Sequence, residues 1–288
     1  IGLLVGMFQG FWIAYIKVPP FIATLAGMYA FRGLSNVVLQ GYAVSVTDTA
    51  FLNIFGGGAE CYIPDFFGGE TMNMTCLIAG VLIAAVYILV TVKTRISRKK
   101  KGYETGSLTG DAVKAVVISA LIIWLFYKLA NFRGISAALI WIAFILLVYS
   151  YITSKTTIGR YLYAVGGNEK ATRLSGVNTK KIYFFAYANM GLLAGLAGIL
   201  TIARAASAQP TYGQGYEMDA IAACFIGGAS AYGGVGSVIG MVVGATLMGV
   251  INQGMSIMGV NANYQSVVKG LVLLIAIIFD VMSKKEKN

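Results

Sequence analysis

Apolar residues in this chain come in long runs that exceed the size of core segments in a water-soluble domain. A helix needs about 20 predominantly apolar residues to cross a bilayer. Nine apolar segments are predicted to be helices, two of them short or interrupted: 1–16, 19–39, 72–92, 111–131, 135–153, 182–202, 218–231, 234–254 and 264–282. The pattern therefore predicts an all-α fold, a polytopic transmembrane helical bundle with discontinuous or re-entrant segments.

Composition supports a membrane protein. Of the 288 residues, 58% are hydrophobic and 11% are charged, and the mean hydropathy is +0.76. A soluble domain usually carries about 25% charged residues. The sequence begins at Ile1, inside an apolar run and without an initiator methionine. We expect that an upstream part of the protein is missing, and we do not interpret this run as a signal peptide.

The positions of lysine and arginine predict an orientation. If the nine segments alternate, Lys17 and the basic runs at 93–101, 155–181 and 284–287 all fall on one side. The opposite loops, 40–71, 132–134, 203–217 and 255–263, carry only Arg133 and Arg204 as basic residues. Cytoplasmic loops are enriched in Lys and Arg, so the basic side is predicted to be the cytoplasm. The net charge of +11 is thus a topology signal that predicts contact with membrane lipid and no nucleic-acid partner.

The sequence lacks the residues that most catalytic and metal-dependent functions need. Histidine is absent, and the three cysteines, Cys61, Cys76 and Cys224, have no metal-binding spacing. We predict no catalytic residues, no metal and no cofactor. The phosphate-binding pattern GxxxxGK[ST] is also absent, so ATP-driven transport would need an ATPase in a separate chain.

A glycine-rich stretch interrupts the apolar pattern between 227 and 240. Gly236, Gly240 and Gly244 recur every four residues, which predicts a helix face that allows close approach of another helix. The glycine pairs predict a discontinuous element, and irregular backbone at membrane depth is tolerated where it is buried or lines a wet cavity. The sequence is compatible with two roles for the candidate residues, helix packing or lining a transport pathway. These residues are Gly227, Gly228, Gly233, Gly234, Gly236 and Gly240.

The predicted cytoplasmic loop 154–181 contains the signals of a short helix. Asn168 can cap a helix that starts at Glu169, and Gly176 is placed to end it. Such a helix either docks onto a soluble partner or lies on the membrane surface. The candidate docking residues are Asn168, Glu169, Lys170, Ala171, Arg173, Leu174, Ser175 and Gly176.

Some polar residues lie within the predicted spans. Asn189, Asn252 and Gln253 are candidate pathway residues, because neutral amides suit a hydroxyl-rich solute better than an ion. Lys269 is expected to extend outward and Asp280 to reach the inner interface. The outer loop 41–71 is expected to be irregular, with a short interfacial helix.

Six stretches together resemble one known family: 17–33, 159–176, 218–223, 227–240, 252–256 and 269–274, with Asp280. They look like the membrane permease subunit of bacterial ABC importers for monosaccharides of the ribose, galactose and xylose type, closest to the xylose and multiple-sugar branch. The resemblance covers nearly the whole chain and implies one transmembrane permease domain, 1–288, that lacks two or three N-terminal spans of a full-length member. It implies that 154–181 is the cytoplasmic coupling loop, with the helix at 169–176 seated on the ATPase.

The resemblance also implies partners and a mechanism. The partners are cytoplasmic ABC ATPase subunits, an extracytoplasmic sugar-binding protein and a second permease copy, which is expected to make a homodimer. A monosaccharide would cross the inner membrane by alternating access. The alternatives are a stand-alone secondary sugar transporter or facilitator, which would need titratable midplane groups or inverted repeats, and a membrane enzyme, which the missing histidine and carboxylate cluster disfavour.

Overall fold

The computed structural model describes residues 1–68, 72–102 and 108–285. Residues 69–71 of the predicted outer loop and the basic residue Lys287 lie outside the described residues. In chain order the helices are α1 (Gly2–Phe11), α2 (Pro20–Leu39), α3 (Thr49–Phe55), α4 (Met74–Lys100), α5 (Leu108–Ala130), α6 (Ala137–Lys155), α7 (Thr157–Gly167), α8 (Glu169–Leu174), α9 (Thr179–Ala205), α10 (Tyr216–Ile226), α11 (Val238–Ile257) and α12 (Ala262–Lys285). A π-helical turn, Trp12–Ile16, extends α1.

Seven helices within the described residues are long and apolar enough to cross a membrane: α2, α4, α5, α6, α9, α11 and α12. In none of them is more than 17% of the apolar window buried inside the protein. Large apolar side chains therefore face outward, which an aqueous solvent would not tolerate over so many helices. The polytopic helical fold predicted from the apolar runs is confirmed.

The remaining two predicted segments are also helical but short. The first is α1 with its π-helical turn, and the second is α10, which has 11 residues. An α-helix rises 1.5 Å per residue, so α10 is about 16 Å long, roughly half the hydrocarbon thickness of a bilayer. The predicted discontinuous element therefore consists of this half-length helix and the loop that follows it.

The chain divides into two compact units. The first comprises Ile1–Ser45, Ala143–Ile202 and Ser207–Asn288, and the second comprises Val46–Ile142 and Ala203–Ala206. The assignment of 1–288 to a single transmembrane domain stays a prediction.

The second unit is organised around the α4–α5 hairpin. The side chain of Asn73 accepts a hydrogen bond from the Cys76 amide at 2.9 Å, which satisfies one free N–H at the start of α4. At the other end of the hairpin Arg95 and Asp111 form an ion pair. The helix α3, capped by Asp48, confirms that the outer loop contains a short helix.

The helix α4 continues to Lys100, beyond the predicted end of its apolar segment at residue 92. The last turn contains Arg98, Lys99 and Lys100. Lysine and arginine are good helix formers, and their charge is favourable at the C-terminal end of a helix dipole. The basic run is therefore helical, where the apolar pattern alone predicted only a loop.

Contacts within the first unit agree with alternating spans. Two short strands, β1 (Val44–Ser45) and β2 (Ser207–Ala208), pair antiparallel and so join the segments that follow α2 and α9. Lys17, between α1 and α2, forms an ion pair with Glu169 at 3.6 Å. Each contact joins two segments that the basic-residue pattern puts on one side of the bilayer.

The helices α1 and α9 cross at glycines. A methyl group on Gly6 would lie 2.6 Å from the carbonyl oxygen of Tyr187 and 2.9 Å from the Cα atom of Gly191. Only glycine permits such a close approach, and close backbone contact is a main source of helix association in lipid.

The ends of α9 offer a test of orientation. In a background without the three native cysteines, Thr211→Cys should react with a membrane-impermeant maleimide in intact spheroplasts, because residue 211 follows α9 on the predicted outer side. Lys180→Cys, at the start of α9, should react only after permeabilisation. Labelling of both positions in intact spheroplasts would contradict the orientation, and the cysteine-free parent is the control.

Candidate functional site

The short helix α8 forms at the predicted residues. The Asn168 side chain accepts a hydrogen bond from the Ala171 amide at 3.0 Å and so caps the helix. Gly176 follows with a φ of +85°, a left-handed conformation that favours glycine and turns the chain away from the helix axis. The predicted cap, start and stop of this helix are confirmed, whereas docking onto a partner stays a prediction.

The carboxylate of Glu169 holds α8 to the rest of the first unit. It accepts hydrogen bonds from the Thr179 hydroxyl and the Tyr183 hydroxyl, both at 3.2 Å. The Lys17 ammonium lies 3.6 Å from the same carboxylate. Glu169, which the sequence suggested as a partner contact, is thus turned toward its own chain and anchors the helix.

The other face of α8 is exposed. The Leu174 side chain is 87% exposed, an unusual value for a leucine outside the apolar spans. Thr172 points inward and is buried, and it donates a hydrogen bond to the Asn168 carbonyl. The remaining candidates are also exposed: Lys170, Ala171, Arg173 and Ser175. The helix therefore presents one large apolar side chain and two cationic side chains to its surroundings.

The helix α7 precedes α8 and was not predicted from the sequence. Its first turn is capped by the Thr156 hydroxyl, which accepts from the Gly159 amide at 3.3 Å. Gly159, Gly166 and Gly167 lower its intrinsic helix propensity, which hides it from pattern analysis. Two features of the sequence do indicate this helix: the threonine cap, and the helical spacing of Tyr161 and Val165, which are four residues apart.

The glycine stretch forms a loop, 227–237, between α10 and α11. Gly228, Gly233 and Gly234 have φ values of +86°, +81° and +74°, so a side chain at any of them would be strained. The Ser237 hydroxyl accepts from the Gly240 amide at 3.0 Å and caps α11. The prediction that Gly236 shares a helix face with Gly240 is wrong, because the capping serine starts the helix after Gly236.

Close helix contact accounts for part of this stretch. A methyl group on Gly227 would lie 2.5 Å from the carbonyl oxygen of Gly240, and one on Gly244 would overlap the carbonyl oxygen of Ala223. The helices α10 and α11 therefore pack backbone to backbone. These contacts favour packing for Gly227 and Gly240, and a pathway role for the loop stays a prediction.

The loop 227–237 also contacts the end of α7. A methyl group on Gly233 would overlap the carbonyl oxygen of Gly166, and one on Gly234 would lie 2.8 Å from the Cα atom of Gly167. The Tyr163 hydroxyl donates to the Gly236 carbonyl at 2.8 Å. Two motifs that the sequence presented separately are thus in direct contact.

Asp219, an acidic residue that the polar pattern of the spans does not predict, lies at the centre of a polar cluster. Its Oδ2 atom is 2.8 Å from the Lys269 ammonium and accepts from the Asn252 side-chain amide at 3.1 Å. The side chains of Lys269 and Asp219 are 24% and 21% exposed. The prediction that Lys269 extends outward is therefore wrong. Lys269 connects α12 to α10 through Asp219, and the hydrogen bond from Asn252 connects α11 to the same carboxylate.

The other polar span residues have separate environments. Asn189 accepts a hydrogen bond from the Tyr149 hydroxyl at 2.6 Å, which joins α9 to α6 within the first unit. Gln253 is exposed. The Asp280 carboxylate accepts from the Ala231 amide at 3.0 Å and holds the loop 227–237 against the end of α12.

The amino-acid sequence is similar to known transport proteins. Residues 62–277 match the family described as "Branched-chain amino acid transport system / permease component". The chain is 37% identical over 286 residues to the "Xylose transport system permease protein XylH" of Haemophilus influenzae, a match that covers 99% of this chain and 73% of the relative. It is 35% identical over 285 residues to the protein of the same name in Escherichia coli K12, with 99% and 70% covered.

A second group of relatives matches a smaller part. The "Ribose import permease protein RbsC" of Escherichia coli K12 is 49% identical over 142 residues, which are 49% of this chain and 44% of that protein. No solved structure shows a significant match. The family match from residue 62 to residue 277 includes α7, α8, the glycine loop and the Asp219 cluster.

Because Asp219 and Lys269 form an ion pair, we predict that replacing one partner destabilises the chain far more than replacing both. Lys269→Met leaves the half-buried Asp219 carboxylate without its cation and should destabilise the chain by about 2–3 kcal/mol, less than for a fully buried pair. The double variant Asp219→Leu/Lys269→Met removes both charges and should recover most of that loss.

Thermal unfolding of the detergent-solubilised chain, followed by size-exclusion chromatography, measures the effect. Lys128→Met, at an exposed lysine of α5, is the matched control and should leave the midpoint unchanged. A double variant as unstable as Lys269→Met alone would show that the pair is not the cause.

Proposed function

We infer the function from the family, because this chain belongs to the membrane permease subunits of bacterial ABC-type monosaccharide importers. It is a multi-pass protein of the bacterial inner membrane. We propose that it passes a monosaccharide of the xylose, ribose or galactose kind inward across that membrane. The names of the relatives, xylose and ribose permeases, support this substrate class.

We propose that ATP hydrolysis takes place in a separate chain that binds the exposed face of α8. The single observation that carries this proposal is the exposure of Leu174, at 87%, next to the exposed Arg173 and Lys170 on an anchored helix outside the spans. Apolar side chains surrounded by charge are typical of the centre of a protein interface. The complementary surface would be an apolar groove with an acidic rim.

The anchoring of α8 supports a role in transmitting force. A helix of six residues is not stable by itself in water, because nucleation is costly and few hydrogen bonds form. The contacts of Glu169 with Thr179, Tyr183 and Lys17 hold the helix against the start of α9 and the corner between α1 and α2. A partner that moves α8 would therefore move these elements as well.

We propose that transport proceeds by alternating access in a complex of two permease copies, two ATPase subunits and an external sugar-binding protein. ATP binding would favour one arrangement of the permease only if the ATPase contacts differ between the arrangements. The exposed face of α8 supplies such a contact.

A stand-alone secondary transporter is the second candidate function, and the Asp219–Lys269 pair is the observation that favours it. Ionisable residues inside spans are typical of ion-coupled pathways. Liposomes that contain only this chain would distinguish the two functions. Sugar uptake driven by an ion gradient alone would support the secondary transporter, and uptake that requires the ATPase and ATP would support the importer.

Substitutions on α8 test the docking surface. Leu174→Asp and Arg173→Glu should each lower co-purification of the ATPase subunit, and uptake of the sugar, by at least about tenfold, because interface anchors contribute about 2 kcal/mol or more. Lys181→Glu reverses the charge of an exposed lysine in the first turn of α9, outside α8, and it should retain both ATPase co-purification and sugar uptake. The docking assignment is wrong if the two α8 variants assemble and transport as well as Lys181→Glu.

A further inference from the structure

The contact between α7 and the loop 227–237 lies directly before α8 in the chain. Gly166 and Gly167 form the last turn of α7, and Asn168, the next residue, caps α8. No flexible linker separates the two helices, because Asn168 ends α7 and begins α8. Any displacement of α8 therefore acts on the end of α7.

The contact is made of main-chain atoms on both sides. A methyl group on Gly233 would overlap the Gly166 carbonyl oxygen, and one on Gly234 would be too close to the Gly167 Cα atom. Main-chain atoms cannot move aside by changing rotamer, so a displacement at one side is passed to the other side with little loss.

Tyr163 adds a directional bond to this contact. Its hydroxyl donates to the Gly236 carbonyl at 2.8 Å, one residue before the serine that caps α11. On the far side of the loop, the Ala231 amide donates to Asp280 of α12. The loop is therefore connected to α7 on one side and to α10, α11 and α12 on the others.

We propose that Tyr163 and the glycine contact between α7 and the loop 227–237 transmit the movement of α8 to the α10–α12 helices. This proposal rests on the proposed docking of an ATPase at α8. Tyr163 is a positioning residue: it does not touch the sugar or the ATPase but keeps α7 and the loop in register. The loop is then the part of the permease that the ATP cycle moves.

Tyr163→Phe tests the hydrogen bond without changing the ring. In the complete complex, in proteoliposomes, this variant should retain the ATPase subunit while its maximal uptake rate falls about fivefold, the ratio expected for one lost neutral hydrogen bond. The sugar concentration for half-maximal uptake should not change if the bond transmits movement, and a rise in that concentration without a lower maximal rate would overturn the proposal. ATP hydrolysis should continue with fewer sugars carried per ATP.

Tyr161→Phe is the matched control. Tyr161 lies on the same helix and is 41% exposed, and this variant should transport like the parent. Equal maximal rates for Tyr163→Phe and Tyr161→Phe would overturn the proposal. So would loss of the ATPase subunit from the Tyr163→Phe complex, because the contact would then serve assembly.

A pair of glycine variants separates the contact from backbone strain. Gly233→Ala and Gly228→Ala place a side chain at nearly the same φ, +81° and +86°, but only the first would collide with α7, since the space around Gly228 is open. We expect Gly233→Ala to lower uptake per ATP at least fivefold more than Gly228→Ala. Equal losses would overturn the proposal, whereas a parent chain that binds no ATPase at all would overturn the proposed function itself.

Discussion

Close approach between backbones is the constraint on which the first unit depends. Helices surrounded by lipid gain little from hiding leucine side chains from water, so they associate where van der Waals contact is closest. Gly6 against Gly191, and Gly227 against Gly240, provide that contact for α1 with α9 and for α10 with α11. The same kind of contact recurs outside the spans, where Gly233 meets Gly166.

The polar cluster stabilises the same helices by a different means. In a medium of low dielectric constant an unpaired charge is very unfavourable, so Asp219 and Lys269 need each other more than they would at a water-exposed surface. Their pairing fixes α12 to α10 some distance from the glycine contact that fixes α11. Two contacts along its length hold the short helix α10, which has only 11 residues, in one orientation.

Sequence patterns predicted the elements whose signals are local. Run length identified the apolar helices, and the cap at Asn168 with the stop at Gly176 identified α8. Patterns failed where a partner distant in the chain decides the outcome. The sequence predicted that Lys269 extends outward, because nothing local indicates its partner Asp219, 50 residues away. The contact between Gly166 and Gly233 likewise joins two segments that no local signal connects.

The main-chain character of the contact at Gly233 has a consequence for how the sequence of such a permease can change. A contact built from backbone atoms depends on the absence of side chains, so it places no demand on the side chains elsewhere in α10–α12. Those side chains can be exchanged while the contact between α7 and the loop 227–237 stays intact. The surfaces of α10–α12 are therefore free to change in sequence without a matching change in α7.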